Sequence, residues 1–333
     1  MLLAHLPELN GRGEMALRTQ KELSKDLRHY VTKRLKKLNK TFQIVIEDKN
    51  SEAVHDFRKT TRDLQCLVEA CGIRRPTRKA KKIRLGLQSW RHALSAWRDG
   101  DVMIELVNQA QQKAHRTYER QVWPAIAEWT MNERERALRK FLKNADSRKM
   151  KKLRTKIETL VKSQIKAEPM IDNLGRLLQQ AWQKLHLAMD KFERVAEVAN
   201  LHAVRIKTKT LRYALDLRQK FYPDKQLDDL SVWLKGIQDH IGGWHDELML
   251  SELVRTTLLK SDTISDPKGA KIIEGKKEQE IEMAESARNY LLSVREMQEY
   301  KRLWRILSAA IYATSKDSAG EALAHQNVTG PIH

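Results

Sequence analysis

Two stretches of this sequence follow one pattern. HDFRKTTRDL starts at His55 and HAVRIKTKTLRY at His202, 147 positions later. The same shift, without a gap, carries Arg58 onto Arg205, Thr61 onto Thr208, Arg62 onto Lys209 and Leu64 onto Leu211. Further along it carries Leu87 onto Leu234, Trp97 onto Trp244, Asp99 onto Asp246, Glu105 onto Glu252 and Leu106 onto Leu253. Coincidence does not hold one offset from His55 to Leu106. Self-similarity at a fixed spacing means that one structural unit is built twice. A chain of 333 residues leaves each copy about 150 residues, within the usual domain size.

The unit is helical. Pro (7) and Gly (13) are few and sit mostly between long periodic segments, and no convincing strand alternation interrupts them. From Met15 to Val45, Leu23, Leu27, Tyr30, Val31, Leu35 and Leu38 make one apolar face. A second helix is expected from about Glu52 to Cys71, stopped by Gly72. A turn and a helix follow from Ile73. Trp90 to Val107 is expected to bend or break near Asp99–Gly100–Asp101. Ala110 to Gln164 reads as two helical stretches with the DSRKMKK segment, from Asp146, as the turn. The pattern then restarts. Leu174 to Asn200 is an amphipathic helix, Tyr222–Pro223–Asp224 closes the helix of the second phrase, and Leu227 to Val254 resembles the region from Ile83 to Val107. A loop is expected from Ser261 to Gly269, and the last helices from Ile272 to Thr314. The expected fold is all-α: two four-helix bundles related by an internal pseudo-twofold axis. Residues 1–14 are expected to form an N-terminal extension, 15–165 the first half, 166–314 the second half and 315–333 a flexible tail.

On a helix each residue advances ~100°. His55, Arg58, Arg62 and Gln65 therefore share one stripe, next to an apolar stripe of Val54, Phe57, Thr61, Leu64 and Val68. The second copy sets His202, Arg205, Lys209 and Arg212 beside Leu201, Val204, Thr208, Leu211 and Leu215. The cations thus stand at the edge of the core face, on stems that packing holds. Ordered guanidiniums lose little freedom on binding and match phosphate oxygens two at a time. Internal salt bridges to neighbouring acids are the alternative use of such a stripe.

Overall charge favours binding. Lys and Arg number 63 against 43 Asp and Glu, a net +20, so acids cannot neutralise every cation. A surplus of this size points to a polyanionic partner: nucleic acid, an anionic surface or a phosphate polymer. Arg18, Lys21, Lys25, Arg28 and Lys36 form a second basic stripe on the first helix. No acid occurs between Glu69 and Asp99, and a further basic cluster runs from Arg148 to Lys156. Together they suggest an extended electropositive track. The two histidines could hydrogen-bond phosphate, or fix their helix against Asp99 or Asp246, which would then orient them. They could also gain charge below about pH 6.5.

The two cysteines, Cys66 and Cys71, share one helix and give neither a disulfide framework nor a zinc spacing. They read as reduced thiols of a cytoplasmic protein. The first residues lack a secretory signal pattern, and no run of 18 apolar residues is present, so no membrane partner is expected.

The doubled H-x-x-R-x-x-x-[RK]-x-L phrase, each copy followed by a helix ending in LSAWRD at Asp99 or IGGWHD at Asp246, resembles the CHAD domain, named for its conserved histidines and α-helices. The resemblance covers about residues 15 to 314. It implies two helical bundles with a basic central cavity, non-catalytic binding of inorganic polyphosphate, often on polyphosphate granules, and no cofactor or metal. The residues that the resemblance assigns to the ligand are His55, Arg58, Arg62, His202, Arg205, Lys209 and Arg212. In some relatives a triphosphate-hydrolysing CYTH domain is attached, and this sequence has no stretch left to hold one. Gln65 stands where the family often has a base, which implies weaker binding by the first half. His245 replaces the arginine expected before Asp246.

Two other functions compete. His202, His240 and the His245–Asp246 pair could ligate a divalent ion that activates water in a phosphohydrolase. Against this, the first copy has Arg98–Asp99 at the matching place, and no Gly-rich phosphate loop or nucleophile–base set stands out. Non-specific nucleic-acid binding at low salt is expected of any surface this basic. Aromatics are only 6% and lie mainly at core spacing, so a base-stacking platform is not evident.

Overall fold

A computed structural model describes residues 20–305, apart from 75, 116, 168–169, 196, 224 and 261–266. The expected N-terminal extension, the C-terminal tail and Arg18 lie outside the described residues, as does most of the expected loop from Ser261. Among the described residues there is no strand. The helices are α1 (Gln20–Glu47), α2 (Ser51–Cys71), α3 (Arg78–Ala93), α4 (Ser95–Gln112), α5 (Thr117–Asn144), α6 (Ser147–Ala167), α7 (Met170–Arg194), α8 (Val198–Phe221), α9 (Lys225–Lys260) and α10 (Pro267–Val294). A further helical stretch, 298–305, reaches the last described residue.

The 147-residue offset carries through to the helices. Shifted by it, α1 falls on 167–194 and matches α7, and α2 falls on 198–218 and matches α8. The pair α3 and α4 falls on 225–259 and matches the single helix α9. α5 falls on 264–291 and matches α10. Core positions repeat too. Leu64 and Leu211, Leu87 and Leu234, and Trp97 and Trp244 are all fully buried. Thr61 and Thr208 are buried and bond back to their own helices, Thr61 Oγ1 to the Arg58 carbonyl at 2.7 Å and Thr208 Oγ1 to the Val204 carbonyl at 3.0 Å. Such back-bonding satisfies a hydroxyl that the core would otherwise strand.

The halves do not have separate cores. One apolar cluster runs from Leu27 on α1 through Phe57, Trp97 and Leu174 to Trp244 and Leu303. A smaller one joins Val107, Trp123 and Ile126 to Val254, Leu258 and Ile272. α2 sits at the centre, against α1 and α3 of its own half and against α7 and α8 of the other. This contact places the two repeated phrases next to each other.

Three boundaries differ from the sequence reading. The Trp90–Val107 stretch breaks at Leu94 (φ −97°, ψ 0°), not at Asp99–Gly100–Asp101. At the break the Arg91 carbonyl accepts from Arg58 Nη1 at 3.0 Å and from Ser95 Oγ at 3.4 Å. Side chains thus occupy the acceptor that a continuous helix would use. Gly100 lies inside α4, where α5 crosses closely: a β-carbon there would stand 2.8 Å from Arg134 Cβ. The DSRKMKK segment is mostly the first turns of α6. Asp146 alone precedes it, and its Oδ1 accepts from the backbone of Arg148 at 2.8 Å and Lys149 at 3.3 Å as an N-cap. Finally, the helix expected from Leu174 to Asn200 ends at Arg194, and α8 begins at Val198.

Candidate anion-binding site

α2 and α8 bring their polar stripes face to face. Arg58, Arg62, Arg205, Lys209 and Arg212 are all half-buried, His202 is half-buried and His55 is exposed. Tyr213 on α8 joins the two helices. The guanidinium of Arg62, from α2, lies 5.6 Å from its ring centroid, and that of Arg212 also lies 5.6 Å away. Cation–π contact fixes both arginines without consuming their N–H donors.

The charges of these side chains act on one another. Burial, then the neighbouring Arg205, Arg62 and Arg212, drives the Lys209 ammonium down to about 7, against the opposing pull of Asp246. Burial lowers Arg205, with Asp246 and Asp99 raising it and Arg62 lowering it. Burial also lowers Arg58, which Asp99 supports and Arg62 and Arg98 oppose. A concentration of half-buried cations that push one another towards the neutral form leaves a deficit of negative charge. Several of their nitrogens have no hydrogen-bond partner: Arg91 Nη1, Arg205 Nε and Arg212 Nε are buried and unsatisfied. Unpaired buried donors are rare in folded proteins and mark places where a ligand or water completes the bonding.

Arg91 of α3, read in the sequence only as one base of the acid-free stretch between Glu69 and Asp99, joins this group. Its Nη2 donates to Gln65 Oε1 at 2.8 Å, and Gln65 Nε2 donates onward to Glu69 Oε1 at 2.9 Å. Burial, then Arg62 and Arg58, lowers Arg91 to about 10. Gln65 therefore does not leave the first half short of a cation: α3 delivers one to the same place. The signal was present in the repeat. Residue 91 maps onto Gln238 as Gln65 maps onto Arg212, so the two residue types exchange places.

Arg58 and Arg205 are not equivalent. Arg58 Nη1 also donates to Ser95 Oγ at 2.8 Å, so part of its fork is tied to the α3–α4 break. The matching position in the second copy is Gly242, which offers no hydroxyl, and α9 runs through it unbroken.

The acids and histidines have a different geometry from the one expected. Asp99, although exposed, is raised by desolvation among these side chains, and Arg58, His245, Arg98 and Arg205 pull it back down. It therefore acts on cations of both halves. His202 stacks on His245, with ring centroids 5.2 Å apart and 28° between planes. Burial, His245, Arg205 and Lys209 together lower His202. Burial and Arg98 lower His55. His245 Nδ1 stands 3.8 Å from Asp246 Oδ1. The metal reading needed His240 as well, but that ring stacks on Tyr290 of α10 at 4.0 Å. Among the described residues, no group of three or more His, Cys, Asp or Glu could hold a metal ion.

Lys21, Lys25, Arg28 and Lys36 lie exposed along α1. Beyond Tyr213, a cavity of about 350 Å³ opens between α1, α2 and α8, lined by Arg34, Lys59, Asp63, Arg212, Tyr213 and Lys220. No described helix is long and apolar enough to cross a membrane.

Comparison with known proteins agrees with this architecture. A family model described as CHAD domain matches residues 29–255. Among solved structures, the crystal structure of the CHAD domain from the plant Ricinus communis is similar, with a TM-score of 0.56 and 18% identity over 86% of this chain and 92% of that one. At that identity the likeness is one of fold. No curated protein matches.

Proposed function

This chain belongs to the CHAD domain family, and from that premise we propose that it binds inorganic polyphosphate, without catalysis, at the basic cluster where α2 and α8 meet. The observation that carries the reading is the meeting of Arg58, Arg62 and Arg91 with Arg205, Lys209 and Arg212, several of whose donors lack partners. A polyphosphate chain places a charge at every unit. A row of guanidiniums held by packing meets successive units with paired N–H donors and little loss of side-chain freedom. The opposing acids, Glu69, Asp99 and Asp246, are too few to neutralise the row. Association with polyphosphate granules in the cytoplasm follows from the same reading.

Competition provides the test. Labelled RNA is bound at low salt and challenged with long-chain polyphosphate at ~150 mM salt, where exposed charges are screened beyond about 8 Å. Polyphosphate is expected to displace the RNA and to bind directly by calorimetry. RNA that stays bound, or polyphosphate that gives no heat, would sink the reading. Stoichiometric metal in the purified protein together with turnover of polyphosphate would overturn its non-catalytic part.

A further inference from the structure

The cavity between α1, α2 and α8 carries charges of both signs. Cys66 and Leu217 are buried and give it an apolar floor. Tyr30, Arg34, Asp63 and Arg212 are half-buried along its walls, and Lys59, Asp216 and Lys220 stand exposed at its mouth. Four cations thus accompany two carboxylates, an excess of two positive charges. Polar atoms in the walls are left unused by the protein. Arg212 Nε is buried without a hydrogen-bond partner. Arg34 Nε lies 3.2 Å from Asp63 Oδ2, close enough for attraction, yet that buried oxygen accepts no hydrogen bond. Buried groups in this state mark a place where a ligand or water completes the bonding. The duplicated fold does not require this lining. Shifted by 147, Tyr30, Arg34, Lys59 and Asp63 become Leu177, Ala181, Ile206 and Thr210, and Leu177 and Ala181 are core residues. The charged lining is therefore no by-product of helix packing that both halves share.

We propose that this cavity is a second ligand site, adjoining the central group, for a small sugar phosphate. A phosphate dianion matches the excess of two positive charges, and Lys59 and Lys220 stand at the mouth to receive it. A sugar hydroxyl both donates and accepts, so it supplies the donor that Asp63 Oδ2 lacks and the acceptor that Arg212 Nε lacks. The volume, about 350 Å³, lies at the lower end of the ~300–1,000 Å³ typical of small-molecule sites, which favours a small ligand. A nucleotide fits less well. Arg34 lies 5.0 Å from the Tyr30 ring centroid, and Arg62 and Arg212 each lie 5.6 Å from that of Tyr213. Guanidiniums thus take up the ring faces on which a base would stack. The site does not depend on the polyphosphate reading, because Lys59, Asp63 and Lys220 have no part in it and only Arg212 is common to both.

The full chain is titrated by calorimetry with ribose 5-phosphate, inorganic phosphate and ribose at ~150 mM salt, where contacts of exposed charges are screened. Ribose 5-phosphate is expected to bind roughly tenfold or more tighter than inorganic phosphate, the scale of one hydrogen bond to a charged group, and ribose to give no heat. Lys59→Gln is expected to weaken ribose 5-phosphate by roughly threefold, the scale of an exposed ion pair. Asp63→Asn is expected to narrow the preference for ribose 5-phosphate over phosphate without weakening phosphate itself, because a carboxylate that repels the anion is gone. A merely structural role of Asp63 would lower both affinities together. Circular dichroism checks that the variants stay helical, and Lys59, being exposed, keeps the test decisive should Asp63→Asn unfold. Equal affinity for phosphate and ribose 5-phosphate overturns the proposal, as does ribose 5-phosphate that gives no heat or that Lys59→Gln binds as tightly as the wild type.

Discussion

Arg91 Nη2 donates to Gln65 Oε1 at 2.8 Å, and the positions one repeat later hold Gln238 and Arg212. The two residue types recur with their helices exchanged, but only the first copy is hydrogen-bonded, since Gln238 Oε1 is buried without a partner. Two copies of one unit thus bring a cation to matching places by different routes.

This exchange predicts that Arg91→Gln and Arg212→Gln weaken polyphosphate binding to a similar degree, roughly tenfold or more each, on the scale of a hydrogen bond to a charged group. Restoring the charge from the other helix, with Gln65→Arg added to Arg91→Gln, should recover most of the loss. Dissociation constants from calorimetry check this. A loss confined to Arg212→Gln would mean that Arg91 serves only Gln65.

Arg58 and Arg205 should separate stability from binding. Arg58→Ala removes bonds to the Arg91 carbonyl and to Ser95 Oγ, and is expected to cost about 1–3 kcal/mol of stability in addition to affinity. Arg205→Ala removes a half-buried guanidinium whose Nε lacks a partner. It should weaken binding with little loss of stability, because among the described residues no hydrogen bond of Arg205 comparable to those of Arg58 is lost. Urea melts beside binding isotherms distinguish the two, and equal destabilisation by both would contradict the asymmetry.

The depressed Lys209, at about 7, makes two linked predictions. Its folded value lies below the ordinary lysine value of ~10.4, so between about pH 7 and 10.4 the unfolded chain carries a proton that the folded one has released. Stability from this group therefore rises with pH across that window and is lowest below pH 7. A polyanion draws the proton back, so affinity should fall as pH rises above about 7, by at most tenfold per pH unit for one proton. Calorimetry in buffers of different ionisation heat measures the proton uptake. Affinity flat from pH 6.5 to 9 would show that Lys209 does not titrate there.

Two glycines should respond in opposite ways to alanine. At Gly100 the added carbon meets Arg134 Cβ at 2.8 Å and Cα at 3.3 Å, forcing α4 from α5 at a cost of about 1–3 kcal/mol. At Gly242, inside α9, nothing lies within 4 Å, and alanine should stabilise by up to about 1 kcal/mol through helix propensity. Thermal melts of the two variants check the sign of each.

Much of this architecture is legible in the order of residues. The offset that links Trp97 to Trp244 and Thr61 to Thr208 is a property of the chain, and each pair is buried because its helix has one apolar stripe. The period of that stripe also placed Arg58, Arg62, Arg205 and Lys209 at the core edge. Local propensity was a poorer guide to boundaries. Asp99–Gly100–Asp101 looks like a helix breaker but is helical, because Gly100 serves a close helix crossing. Leu94 looks like a helix former but marks the break, because an arginine 33 residues upstream from Arg91 binds the carbonyl there.

By itself, then, the sequence determined the helical class, the duplication and which side chains stand beside the apolar face, since these depend on periodicity within a single helix. Only the tertiary structure decided which cations meet. Arg91 reaches the site from α3, Asp99 serves Arg205 and His245 of the other half, and Arg62 shares the Tyr213 ring with Arg212. Charges act across space and not along the chain, so a cluster drawn from α2, α3 and α8 exists only once packing has set those helices side by side.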